Sequence, residues 1–283
     1  MSDMKNSLAR TNMPDMLDMN ALVGKANFLF ITFDTLRYDV AQAEHAAGHL
    51  PFLASILPNG WEERHAPGSF TYASHCAFFA GFLPTPARPG IHERLFSLQF
   101  AGSETTGERS YAFDTPDIVA GFAGLGYRTI CIGGVGFFKK QNPLSCVLPN
   151  LFQESYWQPE FGVTDPESTR HQVEFAIQLL QQKPRGKVFL FMNLSALHQP
   201  NCHYLSGSAG DSLASHAAAL RYIDSQLPPL FQALNQRGDT FVILSSDHGT
   251  TYGEDGYTGH RLGHEKVWII PYADFLLPQG SLP

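Results

Sequence analysis

Apolar runs and segments of helical periodicity alternate along the chain. The runs at 27–33, 127–132, 187–194 and 241–244 are rich in β-branched and aromatic residues, a pattern that predicts buried strands. The segments between them repeat apolar residues at helical spacing, as at 165–183. This alternation predicts an α/β protein with a mostly parallel sheet that is covered on both faces.

Several shorter elements are bounded by proline, glycine and asparagine. The pattern at 45–57 predicts one helix, and 61–66 is expected to form a short strand. Helices are also expected at 115–124 and over 211–234, the second one kinked or broken at Pro228. Each of these helices would connect two strands of the sheet.

The length of 283 residues is compatible with one large core, because single α/β domains of ~250 residues are ordinary. Hydrophobic residues make up 43% of the chain and charged residues 16%, which is typical of a globular interior. We therefore expect a single domain over 27–283, preceded by a lead-in segment at 1–26 without firm periodicity.

The charge and the cysteines narrow the class of protein. The net charge of -7 argues against a broad nucleic-acid surface, and an anionic substrate would need local positive charge. The four cysteines lack C-x-x-C spacing, which disfavours a zinc ribbon or a redox pair.

The sequence shows neither a membrane span nor a signal peptide. No run reaches ~18 apolar residues and 1–26 has no signal-peptide core, so we expect a cytoplasmic protein without a membrane partner. The oligomeric state is left open.

Acidic and imidazole side chains follow two of the predicted strands. Asp34 comes directly after 27–33, and Asp247 and His248 follow the apolar run that begins at Phe241. Ligands of open α/β sheets bind just beyond the carboxyl ends of the strands, so these side chains stand where chemistry is expected. The alternative is a simple turn in which Gly249 supplies a positive φ.

Hydroxyl groups stand at the start of a predicted helix that glycine and proline end near residue 84. Thr71 and Ser74 lie at its amino end, where free N–H groups favour an anion and lower the cost of an alkoxide nucleophile. The alternative is that one of them only caps the helix.

Histidines are concentrated late in the chain, with six of the twelve between 198 and 264. Together with two carboxylates and a hydroxyl they form a mixed oxygen and nitrogen set, which suits Zn²⁺ or Mn²⁺ better than Mg²⁺ or Ca²⁺. One metal site is favoured and a second is possible. The candidates beyond the strand ends are His198 and His260 for catalysis, and His203 and His264 for metal binding.

Basic residues near these segments have ordinary explanations. Arg37 and Asp39 are expected to form a surface ion pair, and Lys139 and Lys140 a solvated pair. The glycines at 133–136 lack the G-x-G-x-x-G spacing of a dinucleotide site.

Four motifs in one order resemble those of the alkaline phosphatase and sulfatase superfamily of metal-dependent hydrolases. They are the segments 31–39, 71–84, 198–200 and 246–260, within a similarity that runs from about 27 to 272. The resemblance implies an alkaline phosphatase-like, three-layer α/β/α sandwich. It also implies that Asp34, Asp247 and His248 bind a metal, and that Thr71 is both the nucleophile and a metal contact.

The nucleophile segment departs from that of typical sulfatases, which have a formylglycine precursor followed by proline and arginine. Thr71 stands at the precursor's position, with Ala73 and His75 after it. The segment looks more like that of the superfamily's phosphodiesterases and phosphotransferases, so we expect a hydrolase or phosphotransferase acting on an anionic phosphate mono- or diester. The alternatives are a sulfatase-like hydrolase and a degenerate metal-binding partner protein without catalysis.

Overall fold

The computed structural model describes residues 19–81, 94–96, 110–112 and 117–282. Most of the lead-in segment and most of the region around residues 85–115 therefore lie outside the described residues. The strands, in chain order, are β1 (Asn27–Phe33), β2 (Glu62–His65), β3 (Arg94–Phe96), β4 (Ser110–Ala112), β5 (Arg128–Ile132), β6 (Glu154–Tyr156), β7 (Val188–Leu194), β8 (Thr240–Ser246), β9 (Thr251–Tyr252), β10 (Thr258–Gly259) and β11 (Ile269–Leu277).

Helices connect most of these strands. They are α1 (Met19–Leu22), α2 (Tyr38–Ala46), α3 (Pro51–Ile56), α4 (Thr71–Ala80), α5 (Ile118–Gly124), α6 (Leu144–Val147), α7 (Ser168–Gln182), α8 (Leu213–Gln226), α9 (Pro228–Arg237) and α10 (Glu265–Trp268). Short 3-10 turns lie at Gly136–Phe138, Pro149–Leu151, Pro159–Phe161, Cys202–Tyr204 and Glu254–Gly256.

The main sheet has seven strands in the order β2-β11-β8-β1-β7-β5-β6. The strands from β8 to β6 are parallel, and β11 runs antiparallel to both β8 and β2. In the register of the three central strands, Phe33 is opposite both Leu194 and Ser246. The carboxyl ends of β1, β7 and β8 are therefore level, and the residues that follow them meet at one edge.

Both faces of the sheet are buried. Leu29, Ile31 and Phe33 of β1 belong to a cluster shared with α2, α3, α7, α8 and α9, while Phe28 points to an aromatic cluster shared with Phe79 of α4. This alternation follows from the two-residue period of a strand. The predicted three-layer α/β/α sandwich with a mostly parallel sheet is thus confirmed.

One sequence prediction about elements needs correction, and one strand was not predicted. The helix expected at 45–57 is two helices, α2 and α3, because Gly48 takes a left-handed φ of 72° after α2 and Pro51 starts a new helix. The apolar segment at 269–277 forms β11, an antiparallel strand that sequence reasoning did not assign.

The expected break near Pro228 is present, where α8 gives way to α9. All four cysteines are free. In the part of the chain that the structure describes, no helix is both long enough and apolar enough to cross a membrane.

Candidate metal and catalytic site

Two buried carboxylates and an imidazole meet where β1 and β8 end. Asp34, Asp247 and His248 are each 0% exposed, and one ligand atom from each lies within 4.8 Å of the others. Asp34 Oδ1 and Asp247 Oδ2 have no hydrogen-bond partner among the described residues. Buried acceptors without a donor are rare in folded proteins, so these oxygens fit a cation.

The remaining atoms of the three side chains are held by hydrogen bonds. Asp247 Oδ1 accepts from the backbone N–H groups of Thr35 (3.2 Å) and His248 (3.0 Å), and Asp34 Oδ2 accepts from Asn193 Nδ2 (3.0 Å). His248 Nδ1 lies 2.9 Å from the carbonyl oxygen of Gly249. A carbonyl accepts only, so Nδ1 carries the proton and Nε2 is left with its lone pair, as a metal ligand requires.

Burial shifts the ionisation of this group. It raises the pKa of Asp34 to about 6, with the charge of Asp247 as a second cause, and raises the pKa of Asp247 to about 7. Burial also lowers the pKa of His248, which keeps this imidazole neutral. Two carboxylates this close repel each other, and a cation between them would remove that cost.

Thr71 is the first residue of α4, and its hydroxyl lies beside Asp34 and His248. Its Oγ1 donates to Asp34 Oδ2 at 3.3 Å and lies 3.4 Å from His248 Nε2. Thr71 is 2% exposed, and the residue at the cap position, Phe70, makes no side-chain capping bond. Ser74 Oγ donates to the carbonyl oxygen of Asp247 at 2.7 Å. Neither hydroxyl caps the helix, so the alternative of simple capping does not apply.

A cavity of about 320 Å³ opens beside Thr71, and His198 and His260 line it. The His260 ring centroid is 4.6 Å from that of His248 and 5.5 Å from that of His198. Burial, followed by the charges of the neighbouring histidines, lowers the pKa of His260 to about 3. His198 and His260 therefore face the space that a substrate would occupy, with His260 neutral.

The other two histidines lie elsewhere. His203 is exposed on the 3-10 turn at Cys202–Tyr204, with its ring centroid 4.2 Å from that of Tyr204. His264 pairs with Asp255 at 3.2 Å and accepts from the backbone N–H of Lys266. Neither is part of the group formed by the two aspartates and His248, so their metal-binding roles stay predictions without geometric support.

Asn193 is a site residue that sequence reasoning missed. It is buried on β7, donates to Thr32 Oγ1 (3.2 Å) as well as to Asp34, and accepts from the N–H groups of Gly134 (3.3 Å) and Val135 (3.1 Å). A lone asparagine in an otherwise apolar strand was the available signal. It joins Asp34 to the loop after β5.

In the sequence, His75 is notable only as a departure from the sulfatase pattern. It is fully buried, its Nδ1 lies 2.7 Å from the Thr71 carbonyl oxygen, and its Nε2 lies 3.2 Å from Thr32 Oγ1. Burial lowers its pKa to about 3. His75 is therefore a neutral residue beneath Thr71, and it is not among the residues that line the cavity.

Arg37 is buried, which corrects the prediction of a surface ion pair. Its side chain is 2% exposed, donates to both oxygens of Asp39 and pairs with Glu254. It also lies 3.5 Å from the carbonyl oxygen of Thr250. The guanidinium thus joins the segment after β1 to the segment after β8, the two segments that carry the carboxylates.

Comparison with known proteins agrees with this architecture. Residues 26–272 match the family model described as Sulfatase, so the chain belongs to the sulfatase family. That family is part of the alkaline phosphatase and sulfatase superfamily, which confirms the resemblance in the motifs. No curated protein matched the sequence.

Solved structures share the fold at low sequence identity. The C-terminal periplasmic domain of phosphoethanolamine transferase EptC from Campylobacter jejuni is 11% identical with a TM-score of 0.59, over 89% of this chain and 79% of that one. The corresponding EptC domain from Escherichia coli, in complex with Zn, is 12% identical with a TM-score of 0.57, over 90% of this chain and 73% of that one. The lipoteichoic acid synthase LtaP from Listeria monocytogenes is 17% identical with a TM-score of 0.57, over 93% of this chain and 67% of that one.

Proposed function

We propose that this protein is a metal-dependent hydrolase or transferase of phosphate esters and that Thr71 is its nucleophile. The observation that carries the proposal is the position of Thr71 Oγ1, 3.3 Å from Asp34 Oδ2 and 3.4 Å from His248 Nε2, beside an open cavity. One structural neighbour, from Campylobacter jejuni, is named as a phosphoethanolamine transferase, which supports phosphoryl chemistry over sulfuryl chemistry.

The residues that would hold a divalent cation are Asp34, Asp247 and His248, with the Thr71 hydroxyl beside them. The oxygen and nitrogen donors favour zinc or manganese, and one structural neighbour is described as a zinc complex. When bound, such an ion supplies charge stabilisation for a phosphoryl oxygen and lowers the pKa of a neighbouring hydroxyl.

The protein groups account for the proton and the ester oxygens. Thr71 Oγ1 forms a bond to phosphorus as the bond between phosphorus and the leaving oxygen breaks, and its proton passes to Asp34 Oδ2, to which it already points. The neutral His260, whose Nδ1 has no hydrogen-bond partner among the described residues, holds an oxygen of the ester by N–H donation. His198 lines the same space, with its Nδ1 2.6 Å from the carbonyl oxygen of Gln199. The leaving oxygen takes a proton from solvent, and water or an alcohol then releases the phosphoryl group from Thr71.

The alternatives make different demands on the same residues. A sulfatase of the formylglycine type needs cysteine or serine where Thr71 stands, so sulfate esters are the less favoured substrates. A non-catalytic metal-binding protein would not need a hydroxyl aimed at both Asp34 and His248. Assays of phosphate and sulfate esters under identical conditions decide among the three.

The test is the turnover of aryl phosphate mono- and diesters by protein loaded with zinc or manganese. We expect Thr71→Ala to lower kcat by at least about a thousandfold, because removing a nucleophile typically costs orders of magnitude. Its metal content, measured by elemental analysis, should stay near that of the wild type, because both carboxylates remain. Mass spectrometry of rapidly quenched wild-type protein should find the phosphoryl group on Thr71.

A matched control is Thr240→Ala, which removes a buried threonine hydroxyl at the amino end of β8, the opposite edge of the sheet. It should keep wild-type kcat. Substantial activity in Thr71→Ala would overturn the nucleophile and make water the attacking group. Absence of turnover with every ester and metal would favour the non-catalytic alternative.

A further inference from the structure

The cavity beside Thr71 extends to two cationic residues that the proposed chemistry does not use. Lys139 follows the 3-10 turn at Gly136–Phe138, and Arg261 follows β10. Both line the cavity, and no acidic residue does so among those described. In a chain of net charge -7, this combination makes the cavity a local site for anions.

Most basic side chains near the ends of elements are already paired in this structure. Arg128 pairs with Glu154, Arg221 with Glu44, and Lys140 donates to the carbonyl oxygen of Ser155 at 2.8 Å. Within the described ranges, the side chains of Lys139 and Arg261 have neither an acidic partner nor a hydrogen bond. Two unpaired cations on one cavity are the arrangement expected for recognition of an anionic group.

The backbone of Arg261 is held in place relative to the nucleophile. Its N–H donates to the carbonyl oxygen of Ser69 at 2.8 Å, two residues before Thr71. Arg261 has a φ of 69°, in the left-handed region that residues other than glycine seldom adopt. Non-glycine residues with this strained backbone conformation are concentrated at active sites and ligand sites, where the position of the side chain is important for function.

The rest of the described cavity wall is largely apolar. Val135, Phe137, Leu144 and Val163 contribute to it, beside the polar Asn142 and Ser145. The same cavity therefore offers cationic and apolar side chains together, which suits a ligand that carries both an anionic group and a hydrocarbon part.

We infer that the substrate carries a second phosphate group, separated by a short organic spacer from the phosphoryl group that reacts, and that Lys139 and Arg261 bind it. This inference rests on the proposed function, because it takes Thr71 as the reacting end. It also revises the expectation that Lys139 and Lys140 form a solvated pair, since only Lys139 lines the cavity.

Non-hydrolysable phosphonates test this without turnover. The probes are α,ω-alkylene bisphosphonates with two to five carbons, each compared with the alkylphosphonate of the same length that lacks the second phosphonate. Calorimetry on zinc-loaded protein gives both dissociation constants. We expect the best bisphosphonate to bind at least about tenfold more tightly than its partner, as two charge-assisted hydrogen bonds would provide.

The variant Lys139→Met with Arg261→Met should reduce this ratio to about twofold or less, since the second phosphonate then meets no cation. The matched control is Lys25→Met with Lys187→Met, which removes the same charge. Both control residues precede parallel strands, at the edge of the sheet opposite the site. The control should keep the wild-type ratio.

The inference is overturned if the wild type shows no preference for any bisphosphonate, or if the preference survives in the Lys139 and Arg261 variant. Failure of the proposed function has a different signature. In that case no ester is turned over, while the calorimetric preference and its loss in the variant are unchanged.

Discussion

The two buried aspartates oppose each other electrostatically. Each has its pKa raised, chiefly because burial removes water from the charged form, and the charge of Asp247 adds to the shift at Asp34. The backbone N–H groups of Thr35 and His248 offset only part of this cost at Asp247. The metal-free site is therefore a source of instability at any pH where both carboxylates are charged.

This argument predicts a pH-dependent effect of Asp247→Asn in metal-free protein. The folded pKa of about 7 lies above the unfolded value, so the folded state holds the extra proton, and wild-type stability falls as pH rises between about 4 and 7. Asparagine keeps the shape without the charge. In chelator, the variant should gain roughly 2–4 kcal/mol relative to the wild type between pH 5 and pH 8.

Denaturant unfolding at a series of pH values measures this difference, and Glu154→Gln is the control. Arg128 lowers the pKa of Glu154 to about 2, so its stabilisation is complete above the unfolded value and is lost only in stronger acid. Its difference from the wild type should stay constant between pH 5 and pH 8. A constant difference for Asp247→Asn as well would contradict the charge argument.

The principal site residues were predictable because they follow strands. Parallel neighbours bring their carboxyl ends together, so Asp34, Asp247 and His248 could be grouped before any distance was known. Asn193 and His75 could not be placed in the same way. Their partners depend on which face of a strand or helix each occupies, and sequence position alone does not specify contacts across 161 or 43 residues.

At the level of elements, the end of β8 lies against the chain that leads into β11. Gly249 N donates to the carbonyl oxygen of Val267 at 2.6 Å, and a Cβ on Gly249 would lie 2.0 Å from the carbonyl oxygen of Lys266. Gly249 is not among the described residues with positive φ. Glycine is therefore needed here for close backbone approach, which corrects the alternative of a turn glycine.

Gly249→Ala should consequently destabilise the fold by about 3 kcal/mol, the upper part of the usual range for overpacking. The methyl group has no space unless the strand end and α10 move apart. Urea unfolding of the metal-free protein measures the loss separately from any effect on metal binding.

Gly210→Ala is the matched control, because a Cβ there meets nothing within 4 Å and the residue has no positive φ. It should change stability by no more than about 0.5 kcal/mol. An equally small effect at Gly249 would mean that the two segments are not in close contact in solution.

Element boundaries were predicted well where apolar periodicity was long and poorly where a break was local. α7 and β7 lie inside the ranges expected from sequence. By contrast, the sequence predicts a single helix where α2 ends and α3 begins, because the apolar pattern stays periodic on both sides of Gly48. β11 was missed for a different reason. Its direction depends on pairing with β8, which a short apolar run cannot specify.

At the scale of the whole molecule, the alternation of apolar runs and helical segments in the sequence correctly predicted the layers of the α/β/α sandwich. The match to the sulfatase family model agrees with the four sequence motifs. The cellular compartment of the protein does not follow from the fold. The expected cytoplasmic residence stays a prediction, while both EptC neighbours are described as periplasmic domains. The expected single domain over 27–283 likewise stays a prediction.

The candidate site joins parts of the chain that are far apart in sequence. Asp34 follows β1, Asp247 and His248 follow β8, and Thr71 starts α4, so a bound cation would hold together three elements that are dispersed in the unfolded chain. A ligand that binds only the folded state stabilises it in proportion to its occupancy. Metal binding should therefore be visible in global stability, independently of catalysis.

We accordingly predict that saturating zinc or manganese raises Tm. Metal at a hundred times its Kd contributes about 2.7 kcal/mol, and at roughly 2–4 °C per kcal/mol this is a shift of about 5–10 °C. The shift should be larger at pH 8 than at pH 5, because protons compete for Asp34 and Asp247, whose pKa values are raised to about 6 and about 7. Scanning calorimetry with and without chelator measures this shift in Tm.

Two variants are the controls for this prediction. Asp247→Ala should show little shift in Tm, whereas Thr71→Ala should keep most of the shift, since the carboxylates remain. An equal shift in Asp247→Ala and the wild type would place the metal elsewhere, and no shift in the wild type would contradict the metal site itself.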